Sequence, residues 1–264
     1  MKAINKVDLL VVTTILIMTV NTYGQWATDA AVNNSVSTAT GAQRYVQSTS
    51  DGSGGVIMVW EDYRSGTADI YAQRLNAQGV PQWTTNGVAI CTATAGQESP
   101  VLVSDGSGGA IIAWQDLRSG NYDIYAQRIN ATGSVQWTAN GVVVSATTLN
   151  QQRPQIQRAP SGGANIAWED NRSAAAGTDY DIYAQRVNGA GVVQWTANGV
   201  ALCAAVGVQS LPSLMMVGAG SEIIVAWQDQ RTADQDIYAQ KVNTNGVVLW
   251  TANGVAICSA TGGN

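Results

Sequence analysis

Four Asp-x-Arg motifs place a carboxylate two residues before a guanidinium: Asp62-Tyr-Arg64, Asp116-Leu-Arg118, Asp170-Asn-Arg172 and Asp229-Gln-Arg231. A second aspartate closes each loop, at Asp69, Asp123, Asp181 and Asp236. On one rim of a fold the first eight groups would form a ring of alternating charge, able to grip a sugar or a polar peptide. They are the candidate ligand-facing residues. The competing reading has each Asp–Arg–Asp set pin its own loop or tie one unit to the next. Presence in all four units favours that reading, because function resides in specific sites that tend to break a fold's internal symmetry. Paired aspartates also suit calcium, but no loop gathers the roughly 6–8 oxygen ligands that ion prefers.

Catalysis would call for residues outside the repeat. The singular charges are Asp29, Arg44, Glu98, Arg153, Arg158, Asp179, Glu222 and Asp234. The absence of histidine excludes Ser-His-Asp and Cys-His nucleophiles and histidine-ligated metals. Glu98 or Glu222 could act as the acid of a two-carboxylate glycosidase, yet the two occupy different repeat positions. Arg44, Arg153 and Arg158 suggest an arginine cluster of the sialidase kind. Arg44 and Arg153 fall near the starts of first strands, however, and Arg158 ends one, so convergence is not expected. The expectation is therefore no catalytic residue, no cofactor and no metal.

All nine tryptophans belong to repeat positions: Trp60, Trp114, Trp168 and Trp227 in one set, Trp26, Trp83, Trp137, Trp195 and Trp250 in another. Indoles make good sugar platforms, but each member of the first set precedes a polar residue and an aspartate, which favours packing between units. Cys91, Cys203 and Cys258 also recur at one position. Equivalent positions in separate units stand too far apart for a disulfide, which needs Cα atoms about 4.4–6.8 Å apart, so buried thiols are expected.

The elements that must hold these groups are repeated strands. Asp-Ile-Tyr-Ala-Gln is spoken four times, and its tyrosines, Tyr71, Tyr125, Tyr183 and Tyr238, recur every 54–58 residues. Such a period marks a propeller, a solenoid or an array. In the second unit, Pro100–Ser104, Ala110–Gln115, Asp123–Ile129 and the pair Val135–Trp137 with Val142–Val144 read as four strands. Turn chemistry separates them at Asp105–Gly109, Asp116–Asn121 and Asn130–Gly133. The run Ala110-Ile-Ile-Ala-Trp114 is apolar on both faces, so both are covered. With no helical pattern to cover them, neighbouring sheets must, as in the blades of a β-propeller.

The expected fold is all-β, a propeller of about four four-stranded blades with units near 42–91, 97–145, 151–203 and 208–258. Gln25-Trp26 matches Gln82-Trp83, Gln136-Trp137 and Gln194-Trp195, so an outer-type strand over 25–34 leads the first unit. With another fourth-type strand at the far end, the chain has one too many for a simple four-bladed ring. That surplus favours an arc of a larger ring.

Lys2 and Lys6 followed by the apolar run Leu9–Val20 read as a signal peptide over 1–24, too short to span a bilayer. The propeller region is then 25–264. The full chain carries a net charge of −5, with only 12% charged residues. That balance argues against nucleic acid and anionic membranes as partners.

Ser99-Pro100, Ser104-Asp105-Gly106, then Ile-Ile-Ala-Trp-Gln-Asp-x-Arg-Ser-Gly and Asp-Ile-Tyr, resembles the TolB-like (PD40-type) propeller repeat, as in secreted surface proteins of Bacteroidetes-type bacteria. The resemblance covers about residues 42–258. It departs in carrying Trp where Phe is usual, and in losing Asp-Gly in the last two copies. It implies a propeller in a secreted, periplasmic or cell-surface bacterial protein. The resulting expectation is a non-catalytic protein-interaction or structural module. A carbohydrate-binding module is the alternative, and a glycan-active hydrolase the weaker one.

Overall fold

The computed structural model describes residues 33–160, 162–173, 179–218, 222–232 and 234–259. The expected signal peptide at 1–24, and the leading strand at 25–34 apart from its last two residues, lie outside the described residues. The rest forms four antiparallel four-stranded sheets, each a simple meander in chain order. Blade 1 comprises β1 (Gln43–Ser50), β2 (Val56–Asp62), β3 (Asp69–Leu75) and β4 (Val88–Cys91); blade 2 comprises β5 (Gln97–Ser104), β6 (Ala110–Asp116), β7 (Asp123–Ile129) and β8 (Val142–Ser145). Blade 3 comprises β9 (Gln151–Arg158), β10 (Ala164–Asp170), β11 (Asp181–Val187) and β12 (Val200–Cys203); blade 4 comprises β13 (Gln209–Val217), β14 (Glu222–Asp229), β15 (Asp236–Val242) and β16 (Val255–Cys258). The first strands β1, β5, β9 and β13 lie innermost, each against the next. This is a β-propeller.

The two apolar faces of each second strand explain how blades stack. Ala110, Ile112 and Trp114 of blade 2 pack against Ile57, Val59, Ile70 and Ala72 of blade 1. Ala164, Ile166 and Trp168 likewise meet Ile111, Ala113, Ile124 and Ala126, and Ile223, Val225 and Trp227 meet Ala167, Ile182 and Ala184. The tryptophan face of each blade thus covers the opposite face of the blade before it. A buried indole removes roughly 150–250 Å² from water, a gross gain of about 4–6 kcal/mol at ~25 cal/mol/Å².

Two repeated devices fix each meander. The glutamine of Asp-Ile-Tyr-Ala-Gln is fully buried at Gln73, Gln127, Gln185 and Gln240. In blade 2, Gln127 Nε2 donates to the Thr138 carbonyl at 2.8 Å, while its Oε1 accepts from the Trp137 and Arg128 amides at 2.9 Å each. One side chain thereby ties the outer strand to the third. The outer strand is entered through Asn-Gly, with Asn140 at φ 62° and Gly141 at φ 89°. A Cβ on Gly141 would stand 2.5 Å from the Trp114 ring, so glycine is required both for its φ and for the approach of the indole.

The ring is open. No packing comparable to that between consecutive blades joins blade 4 to blade 1 among the described residues. In β6 and β10 every residue is buried, whereas β14 alternates: Ile223, Val225 and Trp227 are buried, Ile224, Ala226 and Gln228 only in part. In β2 the other face is covered only in part, with Val56 and Met58 half-buried beside the buried Trp60.

Candidate functional site

The candidate rim residues are drawn into the fold. Asp62, Asp116, Asp170 and Asp229 are fully buried, and their arginine partners keep only about a fifth of their side-chain surface. Asp116 accepts from Trp114 Nε1 at 2.8 Å, from the Arg118 amide at 3.0 Å, and from Arg118 Nε and Nη2 at 2.8 and 2.5 Å. Asp62 and Asp229 repeat that set, and Asp170 binds Trp168 and Arg172 in the same way. Each guanidinium also stacks on the repeat tyrosine, as Arg118 does 3.9 Å from the Tyr125 centroid. Arg118 reaches the Asn140 carbonyl at 2.9 Å and Cys91 Sγ of the preceding blade at 3.1 Å.

Burial alone would push the Asp62 and Asp229 carboxyls up. Hydrogen bonds from Arg64 with Trp60, and from Arg231 with Trp227, outweigh it and hold both below the usual carboxylate range. The loop-closing Asp69, Asp123 and Asp181 are raised by burial, and each accepts from a serine hydroxyl: Ser65, Ser119 and Ser173. The Asp-x-Arg ring therefore pins loops and joins blades, and its polar atoms are spent on that work. Cys91 and Cys203 are buried, with thiols pushed up by burial to about 12 and about 11, whereas Cys258 is exposed. No group of three or more His, Cys, Asp or Glu placed to hold a metal occurs among the described residues. Among the described residues no helix is long and apolar enough to cross a membrane.

A different constellation stands open at the propeller axis. At the same point of each first strand the ladder is broken by a bulge, between Arg44 and Gln47, Glu98 and Val101, Ala167 and Glu169 opposite β9, and Ser210 and Ser213. The bulged residues Tyr45, Ser99, Arg153 and Leu211 all hold left-handed φ of 52–53°. From blade 2 onward a side chain on the previous blade's second strand braces the bulge. Glu61 accepts the Ser99 amide at 2.8 Å, Gln115 the Arg153 amide at 3.0 Å, and Glu169 the Leu211 amide at 2.9 Å.

Such turn-like φ costs of order 1–3 kcal/mol per non-glycine residue and persists only where surroundings enforce it. Here it turns four side chains toward the mouth of the axis, around a pocket of about 360 Å³. Tyr45, Gln47, Ser99, Arg153, Gln155 and Leu211 line it, with Pro100, Pro154 and Pro212 as rigid wall. Tyr45 is 68% exposed. Arg153 leans on the buried Glu169 at 3.3 Å and keeps 56% of its side-chain surface.

These residues occupy one column of the repeat, framed by an unvarying glutamine (Gln43, Gln97, Gln151, Gln209) and, in three copies, a following proline. A column that varies inside an otherwise repeated frame is a signal the sequence held. Its members share no residue type, so it carries no motif of its own.

The singular charges do not converge. Arg44 lies over the Tyr63 ring at 5.2 Å, Arg158 lies against Gly106 at the other end of the blades, and Arg153 alone reaches the axial mouth. Glu222 pairs with Lys241 at 2.7 Å, far along the chain from Glu98. Glu98 sits beside Ser99, where its carboxylate accepts from the Tyr122 hydroxyl at 2.9 Å. Burial, followed by that carboxylate, pushes the Tyr122 phenol up to about 12. Glu61 is raised by burial, in spite of bonds from the Ser99 amide and the Tyr63 hydroxyl.

No family model and no curated protein matches the chain. Among solved structures it is similar to the α-L-arabinofuranosidase Arb93A from Fusarium graminearum, at 11% identity and a TM-score of 0.49 over 82% of this chain and 68% of that one. An endo-arabinase from Bacteroides thetaiotaomicron gives 13% identity and a TM-score of 0.45 over 76% and 73%. A thermostable family-43 glycoside hydrolase gives 10% and 0.45 over 85% and 80%. These are enzymes that act on glycans, so the expectation of a non-catalytic interaction or structural module is corrected and is not carried forward. The likeness at this identity is one of architecture and brings no activity with it. What the chain shares with them is the all-β propeller frame.

Proposed function

We propose that this chain is a glycan-directed propeller that holds a neutral sugar at its axial mouth. The observation that carries the reading is the broken symmetry there. Between columns that repeat, the bulged column presents an exposed tyrosine, a serine, an arginine and a leucine around one pocket. Tyr45 offers a ring face for a pyranose or furanose. Gln47, Gln155, Ser99 and Arg153 offer donors and acceptors for hydroxyls, and the prolines keep the pocket formed before binding. The net charge of −5 gives no general attraction for anionic glycans, so a neutral chain fits best. A TolB-like repeat in a secreted, periplasmic or surface-held protein fits such a target.

Binding of neutral oligosaccharides by calorimetry tests it. Tyr45→Ala and Gln155→Ala should each weaken affinity roughly tenfold, the value of about 1.4 kcal/mol, at unchanged melting temperature. Equal binding by both variants overturns the reading.

Hydrolysis is the second reading, favoured by two carboxyls beside the mouth in unlike settings: Glu61 buried and raised, Glu98 half-exposed and held by Tyr122. Hydrolysis of a glycosidic bond is carried by two carboxyls that flank it. Reducing ends released from arabinan or xylan by the full chain, and lost in Glu98→Gln, would support it. Release that persists in Glu98→Gln would exclude Glu98.

A further inference from the structure

The joint between consecutive blades is built three times from the same parts. An outer-strand indole donates to a turn carbonyl of the next blade: Trp83 to Ala131, Trp137 to Gly189 and Trp195 to Thr244, at 2.9–3.0 Å. The amide after the outer strand donates to the left-handed asparagine of the next blade: Thr92 to Asn140, Ala146 to Asn198 and Ala204 to Asn253, at 3.0–3.1 Å. A glutamate or glutamine of the second strand accepts the next blade's bulge amide, as above.

Blade 4 carries all of these outgoing groups, in Trp250, Ser259 and Gln228, with no blade to receive them among the described residues. Its face is the least covered of the four. Ile237 and Ile257 are 38% and 61% exposed, and Cys258 is exposed where Cys91 and Cys203 are buried.

Blade 1 presents the matching incoming half. Met58 and Trp60, with Tyr45 and Val46, line a groove of about 410 Å³ whose opposite wall is Ser35-Val36-Ser37. There the joint is already part-made. Thr38 donates to Asn86 Oδ1 at 2.8 Å, the bond that Thr92 makes to Asn140. Ser35–Thr38 therefore stand where the end of a fourth strand of a preceding blade would stand. A second copy of this chain, docking through a complete blade 4, would bring Ser259 to the same Asn86 oxygen and collide with that segment. A three-stranded unit would not.

From this we infer that the gap between blade 4 and blade 1 is a socket for one more three-stranded blade of this same repeat, completed by the leading segment as its fourth strand. Its tryptophan face would cover Ile224, Ala226 and Ile237, and its opposite face would fill the groove over Met58. Residues 259–263, Ser-Ala-Thr-Gly-Gly, have the length and character of Thr92–Gly96, the connection that leads from β4 into β5. The spacing needed to enter such a blade is therefore present.

The test extends the full chain by joining a second copy of residues 97–134 directly after Gly263, with the leading segment intact. The readout is the rate at which dithionitrobenzoate labels Cys258, with melting temperature beside it. The extension should slow labelling at least about tenfold, toward the opening-limited rate of a buried thiol, and raise the melting temperature. Ile224→Glu should restore fast labelling in the extended chain while leaving the parent's melting unchanged. Unaltered labelling in the extended chain overturns the inference. So does a parent chain that is dimeric by light scattering with Cys258 already protected, a result that would give the face to a second copy instead.

Discussion

Replacing Asp116 with alanine tests whether the Asp-x-Arg ring is a pin or a ligand grip. The carboxylate is fully buried and takes four hydrogen bonds from nitrogen, from the Trp114 indole, the Arg118 amide and two guanidinium nitrogens, with the Cys91 thiol of the preceding blade as a further, longer donor at 3.8 Å. Trp114 is itself fully buried, so its N–H would be left without an acceptor, at about 1–3 kcal/mol. Breaking a wholly buried ion pair costs about 3–5 kcal/mol. Arg118 keeps 21% of its side-chain surface, so it can turn to water and the lower end applies. The two penalties overlap, and about 3 kcal/mol is expected in all. For a chain of this size that corresponds to roughly 6–12 °C of melting temperature.

The measurement is thermal and urea unfolding followed by tryptophan fluorescence, with Asp62→Ala alongside. Arg118 and Asp116 also reach Cys91 across a blade joint, whereas Arg64 belongs to blade 1, which follows no complete blade among the described residues. Asp116→Ala should therefore cost about 1 kcal/mol more than Asp62→Ala, the value of one hydrogen bond. A melting temperature within 2 °C of wild type for Asp116→Ala, on the scale of ~2–4 °C per kcal/mol, would refute the pinning argument.

Gly141→Ala should cost more than the roughly 1–3 kcal/mol of an ordinary strained site, because its Cβ meets the Trp114 ring at 2.5 Å; lost near-ultraviolet dichroism would report the displaced indole. Gln127→Ala removes three hydrogen bonds at a buried site, and should destabilise by about 2–3 kcal/mol and speed hydrogen exchange first at the Trp137 amide. The pH dependence separates the two kinds of aspartate. The Asp229 carboxyl is held low in the folded chain, so the stability it contributes is present above about pH 4 and is lost as pH falls through its folded value. The gap between wild type and Asp229→Asn should accordingly narrow on acidification. For Asp123, raised by burial, the sign reverses: its protonated form is favoured in the fold, and Asp123→Asn should gain on wild type as pH rises above about 4.

The fold was legible because it is repetitive. One blade cannot bury two apolar faces, so the pattern Ala110–Trp114 already implied neighbours on both sides. The tryptophans, weighed between sugar platform and packing, resolve as joint elements where blades meet: Trp114 and Trp168 fill the interblade core, and Trp83, Trp137 and Trp195 close its outer edge with hydrogen bonds, while Trp26 lies outside the described residues. The opening of the ring was half-legible. Counting strand types shows a surplus, but where the uncovered faces lie depends on which side of each sheet carries tryptophan, and that is fixed by register. The axial site was the hardest to read. Tyr45, Ser99, Arg153 and Leu211 share no chemistry, and what unites them is a backbone φ that no composition reveals. Cys258 shows the same limit, being buried or exposed according to whether another blade follows.

Repetition and function compete for the same positions in a chain of this kind. A residue used to join blades must recur, since every joint has the same geometry; hence the identical bond sets of Asp62, Asp116 and Asp229. A residue that meets a ligand on the axis lies under no such demand, because the axis is where all blades converge on one asymmetric guest. The bulge satisfies both demands at once. Its amide is bound by the neighbouring blade's Glu61, Gln115 or Glu169 and is part of the joint, while its side chain is turned out of the sheet into the mouth. Glutamate and glutamine are interchangeable as acceptors there, which is why that brace alternates freely along the chain. The side chain it presents can then change from tyrosine to arginine without disturbing the packing behind it. On the proposed reading, specificity in this propeller is thereby separated from stability at the level of a single residue's backbone and side chain.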